Sequence, residues 1–77
     1  MNKARRKWID SITDKLLEIQ ADLEDCRNEE EEAYDNLPES FQYGEKGDAM
    51  QDAISAMENA DSSIQDAIDY LNELIEG

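Results

Sequence analysis

Asp10, Asp14, Glu18 and Asp22 recur every four residues, and Asp25, Glu29 and Glu32 continue the line on neighbouring tracks. On a helix that spacing gathers carboxylates along one face. Such a face could ligate a metal, share protons, or imitate a row of phosphates. A calcium loop needs D-x-D-x-D-G followed by a glutamate, and no segment has that order. A di-iron bundle needs Glu-x-x-His, and the chain has no histidine. Acid–base work needs a pocket, a nucleophile and a substrate loop around the carboxylates, and nothing in the sequence supplies them. The expectation is therefore no enzyme, no cofactor and no metal site. The chemistry left is electrostatic. Carboxylates four residues apart on a helix stand about 6 Å apart, close to the phosphate spacing of one DNA strand. The ladder can thus be read as a DNA-like surface for a basic groove. The plainer reading is the solvated face of an acidic bundle, since acidic helical faces are common.

Charge is the strongest compositional signal. Seven basic residues against 21 acidic ones leave a net charge of −14 on 77 residues. Self-repulsion on that scale opposes compactness and excludes ordinary binding to phosphate backbones. Four of the basic residues, Lys3, Arg5, Arg6 and Lys7, sit together at the start. In an antiparallel pair they would lie beside Asp69, Glu73 and Glu76 and the carbonyl-rich end of the second helix. The alternative is an anionic partner held by the cluster, with Trp8 as an apolar anchor. No direct nucleic-acid contact is expected. The lone Cys26 excludes an internal disulfide, and no apolar run suits a leader or a membrane span. An intracellular, cytoplasmic chain with no membrane partner is the expectation.

The elements that carry these groups are written in two heptad stripes. In the first half Ile9, Ile12, Leu16, Ile19, Leu23, Cys26, Glu30, Ala33 and Leu37 recur in steps of three and four. In the second, Met50, Ile54, Met57, Asp61, Ile64, Ile68, Leu71 and Ile75 do the same. That period keeps one face of a helix turned to a partner helix. The predicted fold is all-α: one domain over residues 1–77, an antiparallel, coiled-coil-like two-helix hairpin. Its first helix runs from about residue 3 to 36, capped by Asn2 and ended by Pro38. A connection over 37–47 follows, with a short helical turn. The second helix spans about 48–76, started by Asp48 in a capping-box spacing with Gln51. The antiparallel register sets Leu23 by Ile64, Ile19 by Ile68 and Ile12 by Ile75. Cys26 then faces Asp61 and Glu30 faces Met57, a polar layer that Arg27 would neutralise from the edge. Cys26 reads as a small buried residue, while Tyr34, Phe41 and Tyr43 are expected to close the turn over Met50 and Ile54.

The second helix is apolar over a wider arc than one partner needs. Ala49, Ala53, Ala56, Ala60, Ala67 and Leu74 lie beside its main stripe. On the first helix Trp8 stands at the stripe's edge and Leu17 well off it. Small residues at heptad spacing let helices approach closely, and an isolated hairpin buries little. Two hairpins packed as a four-helix bundle would bury both stripes. Ala53, Ala60, Ala67, Leu74, Trp8 and Leu17 are accordingly the candidate self-association residues. Asp10, Asp14, Glu18, Asp22, Asp25, Glu29 and Glu32 are the candidates for DNA mimicry or partner binding.

The opening NKARRK, the acidic run into AYDNLPES with Gln42 after it, and the Ala-rich AISAMENADSSIQDAIDYL resemble short acidic helical-hairpin proteins of Gram-positive phages and prophages. The resemblance spans most of the chain and carries over no functional residue. It implies an accessory protein of a phage or mobile element. Because small acidic phage proteins include inhibitors that imitate DNA, it also strengthens the mimic reading. The expectation is a homodimerising interaction protein. The alternative is a DNA-mimicking inhibitor that occupies the basic groove of a host nucleic-acid enzyme or defence nuclease.

Overall fold

Asn2, with extended backbone (φ −77°, ψ 167°), turns its side-chain Oδ1 onto the Arg5 N–H at 2.8 Å and starts the first helix. In the computed structural model, which describes residues 1–76, this helix (α1) covers Lys3–Asp35. Pro38, at φ −54° and ψ 144°, cannot continue it, and a single turn follows over Glu39–Gln42 (α2). The last helix (α3) covers Glu45–Glu76 and packs antiparallel along α1. The pair measures 58 × 14 × 13 Å, and among the described residues no helix is long and apolar enough to cross a membrane.

The turn is held by backbone and amide bonds. Gln42 donates its side-chain Nε2–H to the carbonyls of Tyr34 (3.1 Å), which also accepts the Leu37 N–H, and of Leu37 (3.2 Å) just past the end of α1. The N–H groups of Phe41 and Gln42 both reach the Pro38 carbonyl. The second helix starts at Glu45, three residues before the expected cap, and Asp48 lies in its first turn, donating N–H to the Gly44 carbonyl at 3.0 Å. Gly47 makes the earlier start possible. It is buried against the α2 turn, where a Cβ would lie 2.7 Å from the Phe41 carbonyl oxygen and closer still to Gln42. Only a residue without a side chain lets the helix begin under those carbonyls.

The seam differs from the expected stripe in a systematic way. On the α1 side it is formed by Ile9, Thr13, Leu16, Gln20, Leu23, Arg27, Glu30 and Tyr34 of the helix and by Leu37 just beyond it, residues shielded on the inner side. Five of these belong to the expected stripe. The other four replace Ile12, Ile19, Cys26 and Ala33, each displaced by one position. All four stand exposed, Ile19 by 51% and Ile12 by 37%, and Cys26 is a free, exposed thiol rather than a buried one.

Polar contacts account for this rotation of α1. Gln20 donates to Gln65 Oε1 (2.9 Å), Gln65 in turn donates to Asp69 (3.0 Å), and Gln51 donates to the Tyr34 hydroxyl (2.9 Å). Thr13, 5% exposed, satisfies its hydroxyl on the Ile9 carbonyl one turn back. Turning Ile12 and Ile19 inward would break the cross-helix bonds and swing Tyr34 away from Gln51. The polar middle layer holds Arg27 within the seam rather than at its edge. Its Nη2 meets Asn28 at 3.5 Å, while its Nε is buried without a partner.

On α3 the shielded residues include Met50, Ile54, Met57, Asp61, Ile64, Ile68, Leu71 and Ile75, as the heptads predict. Ile68, 3% exposed, is the most buried apolar side chain, so the core is one side chain deep. The aromatic cover over the turn is thinner than expected. Tyr34 is half-buried, but Phe41 is 54% and Tyr43 79% exposed, because Gln42 rather than either ring points inward between the helix ends.

Candidate interaction face

A seam one position wide leaves each helix two edges, and their chemistry differs. With 3.6 residues per turn, the residue before a seam residue lies about 100° to one side of it. Two antiparallel helices of the same hand bring those preceding positions to the same side of the pair. Lys15, Asp22 and Glu29, before Leu16, Leu23 and Glu30, form a charged rim on that side of α1. Inside the rim, before Thr13, Gln20, Arg27 and Tyr34, lie Ile12, Ile19, Cys26 and Ala33, and before Ile54, Asp61, Ile68 and Ile75 of α3 lie Ala53, Ala60, Ala67 and Leu74.

The cross-helix bonds Gln20–Gln65 and Tyr34–Gln51 set the register, which groups these eight residues in four layers. Ile12 lies beside Leu74, Ile19 beside Ala67, Cys26 beside Ala60, and Ala33 beside Ala53. Successive layers are about 10 Å apart, seven residues at 1.5 Å each. The opposite edge carries Glu24, Glu31, Gln51, Glu58, Gln65 and Asn72, and is polar apart from Leu17. The hairpin therefore has one apolar side and one polar side.

The structure places the expected contact residues as follows. Ala53 and Ala67 are half-buried, and Ala60 and Leu74 (43%) are exposed, all on the apolar side. Trp8, 68% exposed, stands one turn before Ile12 and joins Met1, Arg5, Ile9 and Ile12 around an apolar hollow of about 430 Å³. Leu17 is 48% exposed but lies on the polar side, in a depression with Glu24, Arg27 and Asp61, so it is not brought together with the rest.

Ile12, Ile19, Cys26 and Ala33 belong to the same face, although the heptad reading spends them on the seam. Tyr70, 71% exposed, flanks Leu74 one turn earlier. A signal for them did exist. Thr13, Gln20, Arg27 and Tyr34 form their own seven-residue series next to the apolar one, so α1 carries two adjacent tracks and only one can face α3.

The acidic candidates have a different address. Asp10, Asp14, Glu18, Asp22, Asp25, Glu29 and Glu32 are all exposed, on the outward surface of α1 away from α3. Among the described residues no three Cys, Asp or Glu side chains converge in a way that could hold a metal ion. The basic cluster lies at the opposite end from the turn, where Arg6 Nη1 donates to the Ile75 carbonyl at 3.4 Å. That contact puts a cation on the carbonyl end of α3, where the helix dipole favours it. Comparison with family models, with curated proteins and with solved structures finds no match. The reading of the face rests on its own geometry.

Proposed function

We propose that this chain is a small acidic interaction protein that works through its apolar side and associates with itself. The observation that carries the proposal is the exposure, on one side of the hairpin, of Trp8, Ile12, Ile19, Tyr70 and Leu74 together with the alanine strip. A contiguous apolar side rimmed by charge is what protein–protein contact surfaces look like on small domains. A hairpin whose core is one side chain deep also gains most from a second layer. The setting implied by its sequence resemblance, an accessory protein of a phage or mobile element, agrees with a role in binding rather than in chemistry.

Sedimentation over a concentration range tests this reading directly, comparing the unaltered chain with Ala60→Glu. Glutamate at Ala60 adds bulk and an unpaired charge in the middle of the face, yet is itself a good helix former. The expected outcome is a reversible oligomer that Ala60→Glu returns to monomer with its helical circular dichroism unchanged. A chain that remains monomeric at high concentration refutes the proposal.

A second reading draws on the outward surface of α1, where seven exposed carboxylates run in line from Asp10 to Glu32. On this reading the chain imitates DNA and occupies the basic groove of a nucleic-acid-binding protein. Such a complex must weaken steeply as salt rises, and it must lose affinity when Asp14, Glu18 and Asp22 become Asn, Gln and Asn. Contact through the apolar side would instead tighten as salt rises and would lose no affinity on those substitutions.

A further inference from the structure

We propose that two copies of this chain pack apolar side to apolar side in an antiparallel, two-fold arrangement, with the open end of each hairpin on the turn end of its partner. This inference rests on the self-association reading above and adds the geometry of the pair. Two independent properties of the face select it.

The first is a taper in side-chain size. Along the four layers the bulk falls steadily, from Ile12 with Leu74, through Ile19 with Ala67, to Cys26 with Ala60, and finally Ala33 with Ala53. The flanking positions follow the same trend, with Trp8 and Tyr70 at the open end and Ala49 and Ala56 toward the turn. Two tapered faces stacked in parallel would set thick on thick at one end and leave a gap at the other. That gap would forfeit dispersion contact along half the interface. Stacked antiparallel, the Ile12–Leu74 layer of one copy meets the Ala33–Ala53 layer of the other, and the Ile19–Ala67 layer meets Cys26–Ala60. Large then meets small at every level, and the separation between the two hairpins stays even.

The second property is the distribution of charge. The turn half, residues 20–63, holds fourteen acidic residues and two basic ones, a net charge of −12. The open half, residues 1–19 and 64–77, holds seven acidic and five basic residues, a net charge of −2. A parallel pair would press the two −12 ends together. The antiparallel pair sets each against the basic cluster of the other copy, and it brings Lys15 level with Glu29 of the second copy on the rim. Opposite charge across an interface fixes orientation in this way, and like charge excludes the alternative.

The apolar side runs about 38 Å from Trp8 to Ala33 and is about 14 Å wide, roughly 500 Å² per copy, the size of a small, reversible interface. The same antiparallel stacking puts Ala60 of one copy opposite Ala67 of the other, close enough for two cysteines there to bond, which requires Cα atoms within about 7 Å. Within one chain these two positions are about 10 Å apart along α3 and cannot bridge.

Mild oxidation of two variants, each first shown helical by circular dichroism and followed by sedimentation and non-reducing electrophoresis, tests the arrangement. Variant one carries Ala60→Cys, Ala67→Cys and Cys26→Ser; variant two, which carries Ala60→Cys and Cys26→Ser, is mixed with the unaltered chain, so that no molecule can link its own Cys26 to position 60 beside it. The antiparallel pair predicts a covalent dimer from the first and little from the second. A parallel pair sets Cys26 opposite position 60 of the other copy, so it predicts the reverse. Dimers that sediment as such but link only in the second variant, or in neither, overturn the proposed geometry and leave self-association standing. If the unaltered chain and the reduced variants all sediment as monomers, self-association itself is refuted and the geometry falls with it.

Discussion

Replacing Gly47 by alanine offers a sharp test of how the turn is built, because two effects of opposite sign compete there. In an ordinary helix the change from glycine to alanine stabilises by about 1 kcal/mol, through lower backbone entropy in the unfolded chain. At Gly47 the new Cβ would lie 2.7 Å from the Phe41 carbonyl oxygen and 2.5 Å from the Gln42 carbonyl carbon. Both are backbone atoms, so no rotamer change relieves the overlap, and α2 must move away from α3. Overpacking of this kind costs about 1–3 kcal/mol. Moving α2 also strains the two bonds from Gln42 Nε2 to the Tyr34 and Leu37 carbonyls, worth about 1 kcal/mol each.

The steric and hydrogen-bond losses exceed the propensity gain, and the expected net loss is about 2 kcal/mol. For a chain of this size that lowers the melting temperature by roughly 8–16 °C. Thermal unfolding followed by far-ultraviolet circular dichroism measures it, with both chains at one concentration because association would shift the midpoint. Gly44→Ser serves as the control. A Cβ at Gly44 meets nothing nearer than 3.7 Å, and serine is the better cap for a helix beginning at Glu45, so this variant should gain a few tenths of a kcal/mol. An alanine at position 47 that melts at or above the unaltered chain would refute the close approach and, with it, the early start of α3.

The remaining predictions follow from the seam and the surface. Arg27→Met keeps the stem packed while removing a half-buried cation whose Nε has no partner, and should raise the melting temperature, by about 1 kcal/mol of stability. Asp61→Leu extends the apolar stripe of α3 beside Met57 and Leu23 and should also stabilise, whereas a large loss in the melt would reveal a specific pairing of that carboxylate. Gln42→Ala leaves two carbonyls at the end of α1 without their side-chain donor and should cost about 1–2 kcal/mol, read by the same melts. Self-association through the apolar side should tighten as salt rises from low to moderate concentration, since salt screens the repulsion between two chains of charge −14, and sedimentation would register the shift.

The heptads of α3 were readable because the positions beside Ile64, Ile68 and Leu71 are small or polar apart from Tyr70, and the one aliphatic rival on the helix, Leu74, lies near its end. The heptads of α1 were not, because a pattern of hydrophobicity ranks Ile12 above Thr13 and Ile19 above Gln20. Burial on a two-helix seam is decided by what lies across it, and here Gln65 and Gln51 lie across it as hydrogen-bond partners. Those bonds join residues 45 and 17 positions apart, beyond any local window. The early start of α3 was hidden for a related reason. Gly47 reads locally as a turn residue, and only the approach of the Phe41 and Gln42 carbonyls shows it to be a helical position that must lack a side chain.

The rotation of α1 has a consequence for function. Had Ile12 and Ile19 faced α3, the alanine strip would have stood alone, and alanines on a helix surface need no partner to explain them. By turning away from α3, α1 contributes two isoleucines to the side where the strip lies, beside an exposed tryptophan. An apolar side chain left in water forgoes roughly 25 cal/mol for each Å² that could be buried. Three large side chains on one side therefore forgo several kcal/mol, while cross-helix hydrogen bonds between exposed amides return far less. A hairpin arranged in this way is poorly stabilised as a lone monomer and well arranged for a second layer. That imbalance is the physical ground for the proposal that this chain works through its apolar side rather than through its acidic one.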